Sequence, residues 1–193
     1  MAAGVIDTQL LILYDNWPGA PMPVHDIPTG GFLGSTHHNV ATAIYPVGTK
    51  IQVFNTGAVG QPGPAVFVYL KYEATGAPTA AAKQVVVPDS ATLWYVVTND
   101  PDGTVALPTA QAAFMLSVMT DAYYGWFWCG GVAPLDTTFW GGSASPLVGN
   151  VVTADSLIAG HFTVEDSADT DEISIGPYVT TNGYFGFALA NAS

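Results

Sequence analysis

The sequence predicts an all-β chain, a single compact domain of barrel or sandwich type that follows a Pro/Gly-rich arm. Three observations predict it. Apolar runs are short and rich in Val, Phe, Tyr and Trp, the residues that suit a pleated surface. They are punctuated by 21 Gly and 14 Pro, in the manner of strands separated by turns. Hydrophobic residues make up 49% of the 193 residues and charged residues only 9%, which argues against disorder and for a sizeable core.

The elements follow in order. Residues 1–35 stand apart as an extended arm, because Pro18, Pro21, Pro23 and Pro28 disfavour both helix and central strand. Trp17, Met22 and Phe32 give that arm apolar anchors, so it is expected to pack on a neighbouring subunit, a partner or its own domain. The β-rich domain is expected over 36–193. "NVATAIYPV" and "KIQVFNTG" read as strands bounded by Pro46, Gly48 and Gly57. "PAVFVYLKYEATG" is apolar on both faces in its first half. "KQVVVPDSATLWYVVTNDPDG" gives two more strands and ends in a strong turn. "LPTAQAAFMLSVMTD" has helical propensity but the length of a strand; strand is the preferred reading and helix stays open. Beyond residue 131 short strands alternate with turns, and the Asn-Gly of "TNGY" marks a hairpin.

Charge and cysteine content exclude several functions. The chain carries 15 acids, three lysines and no arginine, for a net charge of −12. Through Lys83 it holds four acids and three lysines; from Gln84 onward it holds eleven acids and no lysine. Nucleic acid requires a basic footprint, and an anionic membrane would repel this surface, so neither is an expected partner. Cys129 has no partner for an internal disulfide and reads as a buried, inert thiol. The first residues show no basic segment or long apolar core of a secretion signal, so synthesis in a cytoplasm is expected.

"GGSAS" lacks the final glycine of a serine-hydrolase elbow. His37 and His38 are adjacent, so on a strand they would point to opposite faces and could not share a metal. Neither a His pair at helical spacing nor a Cys pair offers a zinc site, and no Walker lysine follows a glycine loop. The acidic run "EDSADTDE" (Glu165 to Glu172) lacks the glycine and spacing of a calcium loop and reads as a solvated loop. The expectation is no catalytic residue, no metal and no cofactor.

The densest feature is "AYYGWFWCGG". On a strand its aromatic side chains alternate between faces, so one face can serve the core while the other must be covered by a second layer, a subunit or a ligand. Tyr123, Tyr124, Trp126 and Trp128 are therefore expected at the core and at an intersubunit contact.

"AFMLSVMTDAYYGWFWCGGVAPL" resembles the segment of tailed-bacteriophage head decoration (cement) proteins in which a small-residue apolar strand leads into a Y-G-W-aromatic strand. "VVTADSLIAG" is similar to the family's following segment, and "GYFGFALANAS" to its closing strand. "FLGSTHHNVATAIYPVGTKIQVFN" and "AVFVYLKYEA" resemble its opening strands. Together these cover most of residues 32–193, and the order of the segments with the Y-G-W element carries the resemblance. The Pro-rich start and the acidic insert at 165–172 depart from the family pattern. The resemblance implies a non-enzymatic, all-β structural virion protein on the capsid outer surface, a homo-trimer that stabilises the shell by bridging major capsid subunits. The principal rival is a carbohydrate- or receptor-binding virion spike that stacks ligands on tryptophans such as Trp94 or Trp140. A hydrolase and a major capsid subunit are further rivals.

Overall fold

A computed structural model of the chain describes residues 10–12, 37–55, 63–74, 84–89, 95–100, 112–115, 117–134, 141, 147, 150–154, 160–164, 174–180 and 184–187. The described residues contain strands and no helix. The strands are β1 (Leu10–Ile12), β2 (Lys50–Asn55), β3 (Gly63–Tyr72), β4 (Val85–Pro88), β5 (Val96–Thr98), β6 (Ala113–Phe114), β7 (Tyr124–Pro134), β8 (Val151–Ala154), β9 (Phe162–Val164), β10 (Ser174–Thr180) and β11 (Tyr184–Phe187).

Two long strands organise everything else. β3 and β7 pair antiparallel from Ala65↔Gly131 to Lys71↔Tyr124. The free edge of each is divided between two neighbours. The C-terminal end of β3 takes β5 in parallel at Lys71↔Val96, while its N-terminal half takes β2. The N-terminal half of β7 takes β6 at Trp128↔Phe114, while its C-terminal end takes β11. β4 joins β5 to β6, so β3, β5, β4, β6 and β7 close into a five-stranded barrel. Closure removes free edges from these strands. The remaining strands extend the β3–β7 ribbon into an open sheet, with β2 and β1 on one side and β11, β10, β8 and β9 on the other.

Alternation along β3 and β7 builds two apolar layers. Val68, Leu70 and Tyr72 of β3 and Phe127 and Cys129 of β7 join Val86, Val97, Ala113, Met115 and Met119 in the barrel core. The intervening residues Phe67, Tyr69, Trp126 and Trp128 are also buried, on the opposite face. A register shift between Val66 and Phe67 pairs them with Gly130 and Trp128, so Cys129 is an extra residue on β7. Such a bulge increases the local twist, which suits a strand leaving a barrel for an open sheet. Burial pushes the Cys129 thiol up to about 12, in keeping with the inert thiol read from its apolar context.

Three polar side chains inside the barrel pair with one another. The Tyr72 hydroxyl donates to Asn99 Oδ1 at 2.8 Å, and Asn99 Nδ2 donates to Gln84 Oε1 at 2.9 Å. Gly160 lies against that chain with φ +74°, and a Cβ there would come within 2.7 Å of the Gln84 amide. Only a residue without a side chain lets the segment before β9 approach so closely.

The expected strands over 50–55, 63–72 and within 84–98 are present, and β10 and β11 pair antiparallel on either side of the Asn-Gly pair. "LPTAQAAFMLSVMTD" contributes the two-residue strand β6, and the helical alternative fails for its described residues. "NVATAIYPV" differs from expectation. It is an irregular segment touching the sheet through one bridge, Val40↔Tyr124. Asn39 (φ 56°) and Gly48 (φ 85°) turn the backbone at its two ends, and Pro46 removes a ladder donor. Of the expected arm, Leu10–Ile12 pair with Val53–Asn55 of β2; Trp17, Met22 and Phe32 lie outside the described residues.

Candidate interaction surface

The aromatic face of the β3–β7 ribbon is roofed by residues 37–49. Tyr45 sits at the centre of the roof. Its ring lies 5.2 Å from that of Tyr69 in an edge-on contact and 5.3 Å from that of Trp126. Tyr69 and Trp126 meet at 5.1 Å, and Phe67 meets Trp128 at 5.2 Å. Edge-on and tilted pairs at these separations suit the ring quadrupoles and contribute about 0.5–1.5 kcal/mol each beyond area burial. His37 stacks on Tyr45 at 5.8 Å, and its Nδ1 shares a hydrogen bond with the Tyr45 hydroxyl. Burial, with the nearby Tyr69 phenol, pushes Tyr45 up to about 12, so it stays a neutral phenol at physiological pH.

Both ends of the roof are fixed. At one end Gly48 N–H donates to Tyr69 O at 2.7 Å, and Tyr69 N–H donates to Thr49 O at 2.8 Å. At the other, Val40 and Tyr124 exchange backbone hydrogen bonds of 3.0 and 2.9 Å, and Thr120 N–H donates to Asn39 Oδ1 at 2.8 Å. His38 completes this end. Its Nδ1 accepts the Trp126 N–H at 2.9 Å, so the ring proton sits on Nε2, which donates to Ser117 Oγ. That tautomer points a proton at the serine. A base that activates a serine must present a lone pair instead. The His38–Ser117 contact is thus a structural bond, and burial lowers His38 to about 4, keeping it neutral.

The outside of this roof is apolar. Ala41, Ala43, Ile44, Pro46 and Val47 are exposed, with Ile44 46% and Val47 36% accessible, and Thr42 adds one hydroxyl among them. Val118, 50% accessible, rises from the neighbouring segment that Thr120 ties to Asn39. The chain has no acid between Asp26 and Glu73, and exposed Lys50 follows the roof directly. On a chain of net charge −12 this is an uncharged apolar ledge with a cation at its margin.

The four aromatic residues singled out in the sequence divide between two roles. Trp126 and Trp128 are enclosed by the chain's own Tyr45, Tyr69 and Phe67, which supply the second layer their face required. Tyr123 and Tyr124 are half-buried at the start of β7, beside the ledge. Sequence reasoning missed Ile44, Tyr45 and Val47 because it treated 39–47 as a strand. The signal lay in the acid-free stretch from Ile27 to Tyr72. His37 and His38 lie in a turn and not on a strand, and they bond different partners, Tyr45 and Ser117. Among the described residues no group of three His, Cys, Asp or Glu converges on a metal position. No helix among the described residues is long and apolar enough to cross a membrane. Trp94, Trp140 and the run 165–172 lie outside the described residues.

No family model matches the chain, and no curated protein or solved structure matches it significantly.

Proposed function

We propose that the chain is a structural virion protein that binds the outer surface of a phage capsid as a homo-trimer and stabilises the shell by bridging major capsid subunits. The ledge formed by Ile44, Pro46 and Val47 carries this reading. Its apolar side chains release water on contact, and its lack of acids spares an approaching protein the repulsion that the rest of the −12 chain would impose. The closed barrel beneath gives it a rigid base. The Y-G-W residues Tyr124, Gly125 and Trp126 lie directly under the roof, so the motif behind the family resemblance is also what supports the ledge.

Co-sedimentation with undecorated capsid shells tests the reading. The unaltered chain should saturate the shells, and the double variant Ile44→Asp, Val47→Asp should bind at least about tenfold more weakly, as expected when two interface contacts worth roughly 1 kcal/mol each are lost. Circular dichroism of the variant should be unchanged. Absence of shell binding by the unaltered chain overturns the proposal. Glycan-array binding in its place supports a receptor-binding spike.

A further inference from the structure

The roof is hinged at one end and clipped at the other. Its C-terminal end runs straight into β2, whereas its N-terminal end is held by the side chains of His38 and Asn39 and by the Val40–Tyr124 pair. Of these, only His38 changes its hydrogen-bonding capacity with pH.

We propose that His38 is a proton-sensitive clip: uptake of a proton by its imidazole releases the segment 38–47 from β7 and uncovers the Tyr69–Trp126 face. Geometry supplies the mechanism. Nδ1 is the acceptor for the Trp126 N–H, so a proton arriving there removes the acceptor and sets two N–H groups face to face. Among the described residues the new cation meets no counter-ion. On its own segment the titratable neighbours are His37 and Tyr45, which bond each other. On residues 117–122 the one carboxylate is Asp121, which accepts the Ala74 N–H. At the start of β7 they are the phenols Tyr123, just before the strand, and Tyr124, its first residue, while the Cys129 thiol lies in the barrel core. On β3, Tyr69 is bonded by Ile44, Lys71 is paired with Glu73 and Tyr72 with Asn99. None supplies a negative charge to the imidazole, and burial is the cause of its lowered pKa. The ring cannot swing inward, since it already lies against Gly125 of β7 so closely that a Cβ there would come within 2.7 Å of Nδ1. Its escape is outward, with the segment that carries it.

The sign follows from the direction of the shift. A folded-state value of about 4 against an ordinary 6.5 means the clip is at full strength above pH 6.5 and weakens as pH falls toward 4. Between pH 7.5 and 4.5 the opening equilibrium should rise on the order of 70-fold.

Amide hydrogen exchange on the full chain tests the clip, with rates corrected for intrinsic pH dependence. The Val40, Tyr124 and Trp126 amides should lose protection by roughly that factor over this range. The Tyr72, Glu73 and Met115 amides, bonded within the barrel, should not. His38→Gln should abolish the difference, because an amide oxygen can accept from Trp126 and an amide N–H can donate to Ser117 without titrating. An equal loss at all six amides, or the same loss in His38→Gln, overturns the proposal. Should His38→Gln fail to fold, the imidazole resonances of the unaltered chain decide. Titration well below 6.5, coincident with opening at Trp126, supports the clip. Titration near 6.5 with protection intact overturns it.

Discussion

Gly125 sets how closely the roof can approach β7. A Cβ built there would lie 2.7 Å from His38 Nδ1 and 2.9 Å from both His38 Cε1 and Met119 Cε. Met119 is flexible and can yield. The His38 ring is fixed through both nitrogens and cannot yield without losing a bond. Gly125→Ala should therefore cost about 1–3 kcal/mol, the usual penalty for overpacking a filled site. Urea denaturation should show a lower midpoint with an unchanged slope, the mark of a stability change alone. A midpoint within error of the unaltered protein would show that the ring has room to move. In the sequence Gly125 interrupts an aromatic run, a place for either a bend or a close approach. The structure makes it close approach, by a residue 87 positions earlier in the chain. No local pattern announces that partner.

At the scale of elements, legibility followed the length of the apolar pattern. β3 and β7, at 10 and 11 residues, stand out because both of their faces are buried and the apolar run is long. β6 has two residues and was ambiguous, since Ala, Gln and Met favour helix while its tertiary partners demand a strand. The segment 39–47 was misread because β-branched and aromatic residues there cover a sheet instead of joining it; local composition does not separate the two. β6 nonetheless closes the barrel, pairing with β4 through Ala113 and Phe114 and with β7 through Phe114. Phe114 is fully buried. Phe114→Ala should lose about 3–5 kcal/mol, the range for a buried aromatic truncated in a core. Val118→Ala, at an exposed position, should stay within about 0.5 kcal/mol. Thermal melts of the two variants check the contrast, and similar losses would mean that β6 adds nothing to closure.

At the scale of the molecule, charge is the dominant unbalanced quantity. Fifteen acids face three lysines, and one of those lysines, Lys71, is already paired with Glu73. Long-range electrostatics therefore oppose compaction, because folding brings the acids closer together than they are in the unfolded chain. Apolar burial in the barrel and under the roof outweighs this repulsion without relieving it. Salt should relieve it. The screening length falls from about 30 Å at 0.01 M to about 10 Å at 0.1 M, a change from spanning a domain of this size to reaching only near neighbours. The melting temperature at pH 7.5 should accordingly rise by roughly 2–4 °C between those concentrations, equivalent to about 1 kcal/mol in a domain of this length. Sodium chloride is the salt to use, since a strongly excluded anion such as sulfate would also strengthen apolar burial. The same screening should leave the His38 clip almost untouched, because that imidazole is buried and burial is what lowers its pKa. A melting temperature that falls with added sodium chloride would mean that attractive ion pairs outweigh repulsion, and would reverse this account of the chain's charge.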